Sequence, residues 1–153
     1  MQSLTLRHLT TLTLDVDFRG IQRIGATPVG QRGIAVVTGG RFEGERLSGV
    51  VHGGRDWFAN RADGVMTIDV RLTLETHDAA LIYLAYQGRF LAKPEVMARF
   101  ARGEMLRPAE YSLATIARFE CGHEPYRWLN DVVALGVGEQ TPTGPIYRIF
   151  EAP

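Results

Sequence analysis

The chain has 153 residues, a length that suits one domain able to bury a hydrophobic core without disulfides or metal ions. Lysine plus arginine and aspartate plus glutamate each total 17, so the net charge gives no attraction to nucleic acid or to an anionic membrane. Cys121 is the only cysteine, and neither a signal peptide nor a long apolar run is visible. We therefore expect a soluble, cytoplasmic protein whose partner is a small molecule.

Glycine-rich turns divide the chain into short runs of alternating apolar and polar residues, which is the pattern of an all-β protein. Eight strands are predicted, at residues 4–16, 33–38, 46–51, 66–74, 80–86, 111–119, 128–135 and 146–151. Eight short strands with turn signals between them predict a sandwich or a closed antiparallel barrel. We expect one such domain over residues 1–153.

The segment PEVMARFAR, residues 94–102, departs from this pattern and predicts a short α-helix. Pro94 suits the first helical position and Gly103 follows the last one. Val96, Met97 and Phe100 fall on one face of that helix. We expect this face to pack over a sheet or over one end of a barrel.

The common cofactor and metal motifs are missing from the sequence. The two GG doublets lack the further glycines of a phosphate-binding loop, and the four histidines are too scattered to suggest a zinc or iron site. Lys93 is the only lysine, so Schiff-base chemistry would depend on it alone. We expect neither a cofactor nor a metal ion.

The predicted strand at 66–74 alternates cleanly between two faces. One face holds Asp69, Arg71 and Thr73, and the other holds apolar residues such as Val70 and Leu72. The residues alone favour a polar row that faces solvent, as in most antiparallel sheets with one buried face. The alternative is that this row lines a pocket.

Several ordered motifs give the chain a resemblance to a known family. They are GATPVGQR, GGRFEG, GGRDW, RADG, DVR, YLAYQG and YRWLN, which lie between residues 25 and 130, and the resemblance as a whole covers about residues 4 to 152. This succession resembles the DUF3237 family, also called the UPF0311 proteins. One departure is THDAA, where Ala79 replaces the glycine of the family pattern and implies a slightly different turn.

The resemblance implies an eight-stranded antiparallel β-barrel similar to the allene oxide cyclase and dirigent barrels, with a hydrophobic small molecule inside. Such a barrel can hold one small ligand, and its outer face can be apolar where another subunit covers it. In this arrangement the polar row of Asp69, Arg71 and Thr73 is expected to point inward. The apolar row from Met66 to Leu72 would then face a second subunit, which predicts a homo-oligomer, most simply a dimer.

The expected site combines catalytic and binding side chains. Asp69 is predicted to accept a proton, Tyr83 to donate one and Arg71 to hold an oxygen of the ligand. Five further residues are predicted to bind the substrate: Arg32, Trp57, Tyr111, Trp128 and Asn130.

Two main functions suit this predicted pocket. The first is that of a cofactor-independent lyase or isomerase, acting on a small aromatic or conjugated compound in aromatic catabolism, as the resemblance implies. The alternative is a binding protein that carries a hydrophobic small molecule without turnover. A third possibility is an interaction module whose interior is filled by its own side chains.

Overall fold

The computed structural model describes residues 3–153, and nine antiparallel strands account for most of them. In chain order the strands are β1 (Arg7–Thr27), β2 (Gly30–Glu43), β3 (Gly49–Asp56), β4 (Ala59–Asn60), β5 (Met66–Thr76), β6 (Leu81–Ala92), β7 (Tyr111–Glu120), β8 (Val133–Thr141) and β9 (Gly144–Glu151). Helix α1 (Pro94–Ala101) lies between β6 and β7, close to its predicted bounds. Two 3₁₀ helices cover Pro108–Glu110 and Glu124–Asp131.

The strands close into a barrel. Their order is β1-β9-β8-β7-β6-β5-β3-β2, and β2 pairs again with β1. The two-residue strand β4 lies between β2 and β5, so it continues the position of β3 and adds no ninth place to the ring. The predicted closed eight-stranded antiparallel barrel is confirmed.

The apolar side of β5 faces the barrel interior. Val70 and Leu72 are each 2% exposed, whereas Arg71 and Thr73 lie on the exposed outer side. The prediction that Asp69, Arg71 and Thr73 point inward is therefore wrong, and so is the apolar outer face expected from Met66 to Leu72. Burying the aliphatic row removes large apolar area from water, whereas burying the polar row would desolvate two charges.

Two predicted strands have different bounds in the structure. Strand β1 runs to Thr27, far beyond the predicted end, because register shifts let it follow β2 past the body of the barrel. At one of these irregularities Gly40 has φ 146°, and a Cβ there would stand 2.1 Å from the carbonyl oxygen of Thr13. The strand predicted at 128–135 begins only at Val133, because its first residues belong to a 3₁₀ helix that starts after His123.

Helix α1 packs through its apolar face, as expected. Val96 is buried, and the ring of Phe100 stacks on that of Phe90 with 4.8 Å between centroids. Phe90 in turn stacks on Tyr111 at the same separation, so the helix is joined to the strands by an aromatic column. Within residues 3–153 no helix is long and apolar enough to cross a membrane.

The β5–β6 turn places a non-glycine residue in a left-handed conformation. Ala79 has φ 69°, and it is the one non-glycine residue with positive φ in the described part of the chain. Its amide donates to the carbonyl of Thr76 at 3.0 Å, and the turn is closed by the bond from the amide of Thr76 to Ala80. Ala79 therefore adopts the conformation that glycine favours and carries the steric cost of its Cβ.

We expect Ala79→Gly to raise the free energy of unfolding by about 0.5–1 kcal/mol, because the strain of the left-handed alanine outweighs the extra entropy that glycine brings to the unfolded chain. Urea unfolding measures the change. The matched control is Ala98→Gly within helix α1, which should lower stability by about 1 kcal/mol. Destabilisation by both substitutions would contradict the strained turn.

Candidate functional site

Two tyrosines meet inside the barrel. Tyr86 of β6 and Tyr147 of β9 are each 3% exposed, and their ring centroids lie 5.2 Å apart with a 59° angle between the planes. The closeness of Tyr147 contributes to the raised pKa of Tyr86, after the larger effect of burial. Their strands are separated in the sheet by β7 and β8, so the rings approach each other through the interior.

Small residues on the inner side of β8 make room for these rings. Gly138 pairs directly with Tyr147, and a Cβ on it would lie 2.7 Å from the tyrosine ring. A Cβ on Gly136 would lie 2.3 Å from the hydroxyl oxygen of Thr115. The interior beside β8 is thus occupied by side chains of neighbouring strands, and Gly138 allows Tyr147 to lie against the barrel wall.

The interior also receives a carboxyl group, that of Asp56 at the end of β3. In the ladders Asp56 pairs with Ala35 and Val70, both buried in the interior, while Asp56 itself is partly exposed. Its Oδ1 accepts a hydrogen bond from the amide of Asp69 at 3.1 Å. The carboxyl group therefore lies where the apolar interior meets solvent.

Burial raises the pKa of Asp56 to about 7, and the charge of Asp69 adds to this effect. The hydrogen bond from the Asp69 amide and the charge of Arg32 oppose the rise without cancelling it. Asp56 can therefore donate or accept a proton near neutral pH.

Burial is also the main reason why the pKa values of Tyr86 and Tyr147 lie above their ordinary value, and the charge of Asp56 contributes to both. Both phenols remain protonated near neutral pH. They are therefore hydrogen-bond donors in a low-dielectric interior, where such donors stabilise negative charge well.

Four residues predicted for the site surround Asp56 on the outer side. Arg32 donates from Nη1 to the carbonyl oxygen of Trp57 at 2.5 Å. The guanidinium of Arg71 lies 5.0 Å from the centre of the Trp57 ring and 3.8 Å from Oδ2 of Asp69. The side chains of Asp69 and Arg71 are 34% and 48% exposed, so this pair lies at the edge of the barrel wall and outside the interior.

The remaining predicted binding residues belong to other parts of the barrel, where their polar groups make structural bonds. The hydroxyl of Tyr111 accepts the amide of Gln140 at 2.8 Å. Trp128 donates from its indole to the carbonyl of Pro125 at 3.1 Å. Asn130 bonds both backbone groups of Cys121, at 2.9 and 2.8 Å. The structure does not bring Tyr111, Trp128 and Asn130 together with Asp69.

Tyr83 is also remote from its predicted partners. It lies on the outer face of β6, is 40% exposed and pairs with Thr73, four residues or roughly 13 Å along the strand from Asp69. It borders a shallow groove of about 470 Å³ that includes Asn130. The predicted trio of Asp69, Tyr83 and Arg71 is therefore not assembled in one cavity.

The interior group of Asp56, Tyr86 and Tyr147 was missed as a site by the sequence-based prediction. Tyr86 lies two residues from the apolar Leu84 and so shares the inner face of β6. The sequence VALGVG of β8 alternates large with small residues, and its small side marks a wall against which bulky groups lie. No comparable pattern indicates Asp56, because a register shift in β3 interrupts the alternation from which its face could be predicted.

The polar groups of the interior suit proton transfer. Among residues 3–153, no three side chains of histidine, cysteine, aspartate or glutamate are grouped so that they could hold a metal ion. The carboxyl of Asp56 and the two phenols supply one group that titrates near neutrality and two that stay protonated. That the protein works without a cofactor remains a prediction.

The fold and this interior define a class: a small closed β-barrel with a carboxyl group and two neutral phenols inside. The chain belongs to the family described as Protein of unknown function (DUF3237), whose model matches residues 4–152. A UPF0311 protein of Bradyrhizobium diazoefficiens is 29% identical over 127 residues, covering 83% of this chain and 82% of that one.

Solved structures share the barrel over the whole chain. A conserved protein of unknown function from Rhodopseudomonas palustris superposes with a TM-score of 0.94 at 25% identity, covering 100% of both chains. A β-barrel-like protein from Acinetobacter baumannii gives 0.85 at 31%, covering 100% of this chain and 98% of the other. A protein from Penicillium herquei, described as an enzyme, gives 0.75 at 19%, with 100% and 97% covered, and so shares the fold.

Because the pKa of Asp56 is higher in the folded than in the unfolded chain, folding takes up a proton between about pH 4 and pH 7. Wild-type stability should fall across this range relative to Asp56→Asn, by up to about 1 kcal/mol per pH unit. Urea unfolding at several pH values measures the difference.

The control for this experiment is Asp69→Asn, which removes a carboxylate from the outer face and leaves Asp56 in place. It should keep most of the fall in stability with rising pH, because burial is the larger cause of the raised Asp56 pKa and the Asp69 charge the smaller one. A constant difference between wild type and Asp56→Asn from pH 4 to pH 8 would show that the Asp56 carboxyl does not titrate as the buried geometry requires.

Proposed function

We propose that this chain is a cofactor-independent lyase or isomerase that moves protons on a small aromatic or otherwise conjugated compound. One observation carries the proposal: the partly exposed carboxyl of Asp56, with a pKa of about 7, shares the barrel interior with the buried phenols of Tyr86 and Tyr147. A titrating group beside fixed donors is the minimum that acid–base chemistry requires.

The surroundings of this group favour a planar, largely apolar ligand. The rings of Tyr86 and Tyr147 contact each other with their centroids 5.2 Å apart, and Phe58, between β3 and β4, packs over Gly33 of β2. The two phenols can donate to an oxygen of the ligand. A carbonyl or phenol oxygen conjugated with the reacting carbon is therefore the feature we expect in the substrate.

In the proposed reaction the Asp56 carboxylate removes a proton from a carbon next to the conjugated system. The electron pair of that C–H bond moves toward the ligand oxygen, where the phenols stabilise the negative charge. Return of the proton from Asp56 to another carbon gives an isomer. Expulsion of a leaving group from the neighbouring carbon, with the electron pair of the broken bond, gives the lyase outcome, and Asp56 then passes its proton to that group or to water.

The outer cluster has a supporting role in this proposal. Asp69 supplies its amide to Asp56 and raises the Asp56 pKa through its charge, while Arg32 lowers it. Arg71 and Trp57 hold this edge of the wall by their cation–π contact. The cluster thus tunes and orients the carboxyl group from outside the interior.

The test is to incubate the protein with a panel of phenylpropanoid and related aromatic metabolites, following binding by calorimetry and conversion by mass spectrometry and proton NMR. With a converted compound, Asp56→Asn should lower kcat by about 100- to 10,000-fold and retain binding, because it removes the base. Tyr86→Phe and Tyr147→Phe should lower kcat less, because each leaves one phenol.

Tyr83→Phe is the matched comparison, since it removes the same hydroxyl group from the outer face of β6. Under the interior assignment it keeps full turnover. Loss of turnover in Tyr83→Phe with normal turnover in Tyr86→Phe would place the reaction outside the barrel. Tight binding without conversion, unchanged in Asp56→Asn, would identify a carrier of small molecules instead of an enzyme.

A further inference from the structure

The outer face of β7 and β8 is apolar. Strand β8 directs Val133, Leu135 and Val137 outward, with 51%, 38% and 48% of their surfaces exposed. Ile116 of β7, 56% exposed, pairs directly with Leu135. We call these four side chains the β7–β8 patch. Its alternation is the reverse of a strand that faces water, because the large apolar residues are outside and the small ones inside.

The exposed apolar side chains are concentrated on this side of the barrel. Of thirteen large apolar residues that the described chain exposes, seven lie on the outer face of β6, β7 and β8. Single exposed apolar residues are normal, but a contiguous group on neighbouring strands marks a surface that is covered by something else. The interior site does not account for it, since these side chains point away from Tyr86 and Tyr147.

Charges of both signs surround the patch. On the outer face of β6 to β9 the charged residues are three arginines and two glutamates: Arg89, Arg118, Arg148, Glu120 and Glu139. Arg148 and Glu139 lie 3.7 Å apart. A surface of a single sign would repel its own copy and attract an oppositely charged partner, whereas a rim with charges of both signs can face itself across a two-fold axis.

We propose that the β7–β8 patch binds the same patch on a second copy of this chain, giving a two-fold symmetric dimer. The formal net charge of zero adds no long-range repulsion between copies. Stable interfaces bury roughly 800 Å² on each partner, more than four side chains supply. The contact must therefore include the charged rim and the exposed apolar residues of β6, which are Leu81, Tyr83 and Leu91.

This interface differs from the one predicted from the sequence, which involved the apolar row of β5. Its existence does not depend on the proposed reaction. It covers β8 from the outside, where the inner side of the strand carries only small residues and Tyr147 lies against Gly138. The dimer would thus cover the strand whose inner side chains are smallest, next to the interior site.

Sedimentation equilibrium over a wide range of loading concentration tests the dimer. We expect wild type to have twice the 17.0 kDa mass of one chain, and Leu135→Glu and Ile116→Glu each to halve it. Val50→Glu is the matched control, because Val50 is a 46% exposed aliphatic residue on β3, away from the patch. It should remain a dimer, and circular dichroism checks that each variant is folded.

Three outcomes would overturn the proposal. If the wild type has the mass of one chain at every concentration, the patch does not bind a second copy. A folded Leu135→Glu or Ile116→Glu that keeps the doubled mass moves the interface elsewhere. The wild type could also be monomeric and float with phosphatidylcholine vesicles, while Leu135→Glu does not. That result would show that the β7–β8 patch binds a lipid surface instead of a second copy.

Discussion

The limited interior volume of an eight-stranded barrel is the constraint on which the rest of this structure depends. A closed ring of this size holds few large side chains, so each one inside requires small residues nearby. Tyr86 and Tyr147 occupy part of that volume and approach to 5.2 Å. Ala134, Gly136 and Gly138 on β8 provide the space, and the large residues of that strand face outward in consequence.

The same constraint sets the chemistry of the candidate site. In an apolar interior a carboxyl group loses hydration, and one amide hydrogen bond from Asp69 does not replace it, so the pKa of Asp56 rises. The phenols are kept neutral for the same reason. A buried carboxyl costs stability, and such costs are tolerated most often where a group has a function.

The eight positions of the ring, its closure and the position of helix α1 could be predicted, because they follow from local alternation, turn residues and the ordered family motifs, whereas the two-residue strand β4 was not predicted. The site was predicted only in part. Four of the predicted residues do come together, but they lie around Asp56 and outside the interior: Arg32, Trp57, Asp69 and Arg71. Trp128 and Asn130 were assigned to the predicted strand at 128–135, although both lie in a 3₁₀ helix that begins at Glu124.

The sequence by itself determined which residues share a strand face, since the two-residue period of a strand is local. For β5 the residues alone favoured the polar row outside, as found, whereas the resemblance favoured the reverse. The tertiary structure decided between these two arrangements, because the choice depends on the total burial of all eight strands. It also decided that Asp56, Tyr86 and Tyr147 meet. These residues lie on β3, β6 and β9, far apart in the chain, and only closure of the ring gives the three strands a common interior.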